Sequence, residues 1–183
     1  MADKKKKQAG RRAYLNDFHR DLTGAYIYDG SHFHFAGDGW KQVLLRLWAL
    51  GLVLVVLVLA GGFSGETMSH CVFQILPYLV EVGAVGSVVW ALVRLTSGGE
   101  TLRAYVSKAT VQALPGRAVL VMCAAGAGIL GTVLCMIVHG TAGRLAGLLL
   151  CLLLKAALLA GAWLLRRYVQ TLPWEGPPEE TAD

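Results

Sequence analysis

Glu81 and Lys155 are the residues of this sequence whose positions demand a chemical reason, because each interrupts a stretch that is otherwise apolar. A charge at the centre of a bilayer costs about 2.5 to 3.5 kcal/mol on insertion scales, so neither is expected there without a partner. Each lies about ten residues from the same end of its stretch, or about 15 Å deep at the helical rise. Equal depth makes an ion pair between the two stretches geometrically available, and pairing removes much of both penalties. Two chemistries follow. The pair lines a proton or ion path whose members exchange a proton or release each other, or it is static and sets helix register.

His32 and His34 form a second constellation, two residues apart in a stretch with strand character. They would share one strand face and could bind a transition metal, with His19 or a nearby Asp completing the set. Solvent-facing histidines are the plainer reading, since a metal site needs three or four placed ligands. No G-x-S-x-G, H-E-x-x-H or P-loop lysine motif occurs, and Glu81 is the only acid within an apolar stretch. The expectation is a non-enzymatic chain without a cofactor. Cys71, Cys123, Cys135 and Cys151 show no C-x-x-C spacing and read as small packing residues.

The elements that must position Glu81 and Lys155 are long apolar helices. Of the 183 residues 55% are hydrophobic and 16% charged, more apolar surface than one small soluble domain can bury. Four blocks are long enough to cross a hydrocarbon core of roughly 30 Å, with spans expected at 43–63, 72–93, 118–138 and 145–165. The second is interrupted by Gln74, Pro77 and Glu81, and the fourth carries only Lys155.

The net charge of +5 is not a nucleic-acid signature, since the bases sit at span ends rather than interleaved with aromatics. They are orientation signals. Lys4 to Lys7, Arg11, Arg12, Arg20 and Lys41 precede the first span, the stretch from Ser64 to Cys71 has no Lys or Arg, and Arg94, Arg103, Lys108 and Arg117 follow the second. The turn from His139 to Arg144 holds one Arg, and Arg166 and Arg167 follow the fourth span. The positive-inside rule then places both termini in the cytoplasm. Trp40, Trp48, Trp90 and Trp163 fall at the cytoplasmic span ends, where an amphipathic ring prefers the headgroup level.

Three segments flank or interrupt the spans on that side. Residues 1–41 read as a basic tail followed by a β-hairpin, with Asp29-Gly30 as its two-residue turn and Tyr28 opposite Ser31, Ile27 opposite His32 and Tyr26 opposite Phe33. Between the second and third spans Ser97-Gly98-Gly99 breaks the helix. Leu102, Tyr105, Val106 and Ala109 then recur at helical spacing, predicting an interfacial amphipathic helix over 100–114 stopped by Pro115-Gly116. Residues 168–183, with Pro173, Pro177, Pro178 and several acids, read as a disordered tail.

Small residues mark expected helix contacts: Gly83, Ser87 and Ala91 on the second span, and Ala124 with Gly128 and Ala127 with Gly131 on the third. The fold class expected is an all-α integral membrane protein, a four-helix transmembrane bundle over 42–167 with a small N-terminal cytoplasmic β-hairpin. The expected setting is the cytoplasmic membrane of a bacterium. The partners are the lipid bilayer and either another protein or further copies of the chain, not nucleic acid. The function expected is that of an accessory or assembly subunit, and the alternative is a small oligomeric transporter or channel using Glu81 and Lys155.

This orientation makes a direct prediction. Reporter domains fused at Met1 and Asp183 should both be active only on the cytoplasmic side, and Ser64→Cys should react with a membrane-impermeant thiol reagent from outside. Labelling of Ser64→Cys only after permeabilisation contradicts it.

Overall fold

The computed structural model of this chain describes residues 18–20, 26–28, 32–37, 39–63, 72–99, 101–140 and 145–175. It is mostly helical, and four long helices carry it: α1 (Trp40–Phe63), α2 (Val72–Gly98), α4 (Leu114–His139) and α5 (Leu145–Gln170). A short α3 (Ala104–Ala109) lies between α2 and α4. At 24 to 27 residues each, the long helices reach about 36 to 40 Å at 1.5 Å per residue. All four are long and apolar enough to cross a membrane.

Hydropathy alone does not say which face of such a helix turns inward, because every face is apolar. Packing shows it. The buried positions of α1 are Trp40, Leu47, Gly51, Leu54, Val58 and Gly61, and those of α5 are Leu148, Cys151, Lys155, Leu158, Ala162, Leu165 and Val169. In α2 the series Gln74, Glu81, Val85, Val88, Leu92 and Leu95 is buried, and in α4 the series Leu114, Ala118, Val121, Ala125, Gly128, Thr132 and Cys135. Steps of three and four alternate throughout α4 and α5, and in α1 and α2 after an opening step of seven. That spacing keeps one seam facing the partners, as in bundles whose helices cross at about 20°. Around the bundle α1 neighbours α2 and α5, and α4 neighbours the same two, so α2 and α5 stand at opposite corners. Leu45, Leu52, Leu59, Leu79, Trp90, Leu130, Ile137, Leu153 and Leu164 remain exposed on the outside. For a soluble chain this would be an aggregation liability; for one in lipid it is the solvent-facing surface.

The strands overturn the expected hairpin. β2 (Tyr26–Tyr28) pairs antiparallel with β1 (Phe18–Arg20), Phe18 opposite Tyr28 and Arg20 opposite Tyr26. β3 (His32–Phe35) instead forms the centre of a three-stranded sheet with β4 (Thr101–Arg103) and β5 (Trp174–Glu175). Phe33 stands opposite Leu102, His34 opposite Thr101 and Glu175, and Phe35 opposite Trp174. The Asp29-Gly30 turn lies outside the described residues. The physical reason for the re-pairing is burial. An isolated hairpin is marginal, whereas here Phe33, Phe35 and Trp174 pack on the apolar core beside the fully buried Leu102.

The expected interfacial helix is corrected by the same sheet. Gly99, at φ +71, turns the chain out of α2, after which Leu102 belongs to β4 and helix resumes only over Ala104–Ala109. Leu102 and Val106 pack on the bundle core rather than on a headgroup layer; Ala109 is half-buried, and the side chain of Tyr105 is not described. Pro115 does not stop a helix but opens α4, in the first turn, where its missing N–H is no loss. The C-terminal tail expected from residue 168 begins later. α5 continues to Gln170, and Trp174 and Glu175 join the sheet, with the Ala36 N–H donating to the Pro173 carbonyl at 3.1 Å. The tail beyond 175 and the basic N-terminal segment lie outside the described residues.

The tryptophans divide in two. Trp90 and Trp163 are exposed on the outer surface, but Trp40 is buried in a cluster with Phe35 and Trp174, ring centroids 5.2 to 5.6 Å apart. The Trp48 indole N–H donates to Thr96 Oγ1 at 2.9 Å, tying α1 to α2. Trp174→Ala is expected to lower stability by about 3 kcal/mol, the loss of a packed aromatic. Thermal unfolding of the detergent-solubilised protein measures it, and a variant as stable as wild type would remove the sheet from the folded core.

Candidate functional site

α2 begins at Val72 and α5 at Leu145, both at the end of the bundle far from the three-stranded sheet. Counting inward from those starts brings Glu81 and Lys155 to the same level. Both occupy the inward seam of their helices. The structure brings them into contact, Lys155 Nζ donating to Glu81 Oε1 at 2.7 Å, with each side chain 3% exposed.

The pair crosses from one corner of the bundle to the opposite one, and it does so over Gly128 of α4. A Cβ at Gly128 would collide with Glu81 Oε1 and come within 2.6 Å of Lys155 Nζ. A side chain at this position would therefore press on the head groups of the ion pair, and the pair or α4 would have to shift. One level farther from the sheet, Gly131 lets the α2 backbone approach, since a Cβ there would overlap the Phe73 carbonyl oxygen. Of the small-residue stripes expected from the sequence, Ala91, Ala124, Gly128 and Gly131 face inward, Ser87 is half-buried, and Gly83 and Ala127 face outward.

The surroundings differ on the two sides of the pair. Toward the sheet the seam is apolar, with Leu47, Val88, Leu92, Leu95, Val121, Leu158 and Leu165. Toward the far end, α2, α4 and α5 contribute Gln74, Thr132, Cys135 and Cys151. Thr132 Oγ1 donates to the Gly128 carbonyl at 2.8 Å and lies 3.9 Å from Cys151 Sγ. Gln74 is fully buried, and neither its amide nitrogen nor its oxygen has a hydrogen-bond partner. Two unsatisfied polar atoms cost about 1 to 3 kcal/mol each. Gln74 was legible only as an interruption of an apolar run; its spacing of seven residues from Glu81 was the available signal that both share one helix face.

His32 and His34 both lie on β3, and His34 is exposed. Among the described residues no group of three or more His, Cys, Asp or Glu could hold a metal ion. The remaining pieces of the expected interfacial helix contribute packing rather than a polar site. No protein-family model matches the chain, and no curated protein or solved structure matches it either.

Breaking one partner of a buried pair leaves an uncompensated charge, so Glu81→Gln and Lys155→Met are each expected to destabilise by about 3 to 5 kcal/mol. Combined, they should recover most of that loss. Gly128→Ala should destabilise by about 1 to 3 kcal/mol through overpacking against the pair, and much less in the double-variant background. Thermal or denaturant unfolding of purified protein reads all five, and additive losses would mean that the two charges do not couple.

Proposed function

We propose that this chain is a non-enzymatic, multi-pass membrane protein that acts by association, as an accessory or assembly subunit with both termini in the cytoplasm of a bacterium. The observation that carries this reading is the closure of the Glu81 and Lys155 pair. Each charge is satisfied by the other, both are out of contact with solvent, and α4 seals them with a glycine fitted to their head groups. A pair so enclosed sets which helix faces meet and at what level. What the fold leaves for interaction is its surface. The outer face of the three-stranded sheet presents His34, Thr101 and Arg103 at exposed positions, while Phe33, Phe35 and Leu102 point into the bundle. The sheet is rigidly attached, because its strands come from three separate parts of the chain, and its two edge strands suit pairing with an extended partner segment.

One observation favours a second reading, a small oligomeric transporter or channel. Gln74 is an orphaned buried amide two helical turns from Glu81 on the same face, the kind of group that hydrates a path to an intramembrane acid.

Affinity capture of the full chain from mildly solubilised native membranes distinguishes the two. The accessory reading expects a stoichiometric second protein, retained by the Glu81→Gln, Lys155→Met double variant and lost when His34 and Thr101 are both changed to Glu. Recovery of this chain alone, together with proton or ion flux in liposomes that Glu81→Gln abolishes, would replace it with the transporter reading.

A further inference from the structure

Trp163, Arg166, Arg167 and Gln170 follow one another at steps of three, one and three along the last two turns of α5, which places them on one side of the helix. They line a cavity of about 200 Å³ open to the surface. We propose that this cavity is a binding site for a phosphate-bearing anion. The membrane reading above makes an anionic lipid headgroup one source and free phosphate the other.

Three observations support it. The first is an unmet donor: the Nε–H of Arg166 is buried and has no hydrogen-bond partner. Burying a charged donor unpaired is costly, so a turn of the Arg166 side chain that brings Nε into the cavity toward an anionic oxygen would relieve it. The second is the placement of Arg167, whose guanidinium carbon lies 5.3 Å from the centroid of the Trp163 ring. A cation–π contact at that distance keeps the guanidinium beside the ring at the cavity, where its N–H groups are of the kind that bind phosphate oxygens. The third is charge balance. Among the described residues the lining contains two arginines, an amide and an indole, and no carboxylate. Among the described residues the acids are Glu81, already held by Lys155, and Glu175 in β5.

Arg117 shows what a structural arginine looks like in this fold. Its Nη1 donates to the Ser87 carbonyl at 2.5 Å and its Nη2 to the Ala109 carbonyl at 3.2 Å, so α4, α2 and the α3 segment are joined by one side chain. Arg166 makes no such bond through Nε. A topogenic arginine needs only to stay in water, whereas this one is half-buried with one N–H unpaired. The position suits a lipid source: the site lies at the sheet end of the bundle, and the half-exposed Trp163 ring borders it where a headgroup layer would be.

The test uses the full-length protein purified in mild detergent and mixed with dioleoyl-phosphatidylglycerol, dioleoyl-phosphatidylcholine or inorganic phosphate, with bound lipid counted by native mass spectrometry. Phosphatidylglycerol should be retained over phosphatidylcholine. Arg166→Gln and Arg167→Gln should each weaken retention roughly fivefold, about the effect of one base at an anionic surface. Arg94→Gln, at the same end of the bundle but outside the cavity, should leave it unchanged. Gln170→Leu keeps both charges and should weaken binding by a smaller factor, which keeps the test valid should an arginine variant fail to fold. If inorganic phosphate raises the thermal midpoint without lipid, displaces phosphatidylglycerol and loses its effect in the same variants, the site stands and its source is soluble. Equal retention by wild type and the Arg166→Gln, Arg167→Gln double variant, or an equal loss in Arg94→Gln, overturns the proposal in favour of diffuse attraction.

Discussion

The ion pair between Glu81 and Lys155 is the constraint on which the rest of this bundle depends. Two charges 2.7 Å apart and almost completely enclosed leave little freedom to the helices that bear them. α2 and α5 must stand at opposite corners, at matched depth, with those residues on their inward seams. α4 must pass between them without a side chain at that level, and Gly128 meets that requirement. A buried pair of this kind adds little net stability over apolar residues of the same volume, because desolvation offsets the attraction. Its effect is selective: any slip of one helix by a single turn strands two charges in an apolar interior, at a cost of several kcal/mol. The pair thus acts on register far more than on overall stability.

That selectivity matters because the four long helices have little else to orient them. On the proposed membrane reading an apolar residue gains nothing by turning inward, so close packing and polar contacts decide which faces meet. Here the close packing is visible at Gly131, where α2 backbone lies against α4, and in the alternating steps of three and four that every long helix buries. At one end a second device takes over. β3 precedes α1, β4 follows α2 and β5 follows α5, so pairing of these strands fastens three helix ends to one another. Phe35, Trp40 and Trp174 fill the space beneath the sheet. The bundle is therefore held by a charge pair in its interior and by a clasp at one end, while Arg117 bridges α4 to the backbone of α2 and the α3 segment.

The candidate site was partly legible before any fold was known. Glu81 and Lys155 stood out because charge is rare in apolar runs, and counting residues from the span ends put them at one depth. The remainder was hidden for a definite reason. Gly128 is one of 22 glycines, and nothing local distinguishes a glycine that accommodates a neighbour's charge from one, such as Gly83, that faces outward. Gln74 looked like a tolerated interruption near a helix start, and only burial shows it without partners. Arg166 and Arg167 read as topology signals, because the enclosure of one Nε and the approach of the other guanidinium to the Trp163 ring are facts of packing.

By itself the sequence determined what depends on runs and local chemistry: four apolar helices of span length, a helix break close to Gly99, and two charges at one depth for which a pair was available. Run length and hydropathy are properties of contiguous residues, so they survive without knowledge of neighbours. Tertiary structure alone decided the partners of β3. Asp29-Gly30 favours a local hairpin, but pairing with Thr101–Arg103 and Trp174–Glu175 lets Phe33, Phe35 and Trp174 cover the end of the core. The same burial drew Leu102 out of a helix and Trp174 out of a tail. Local turn propensity is worth little against the burial of several large apolar side chains, and those side chains come from three segments far apart in the chain.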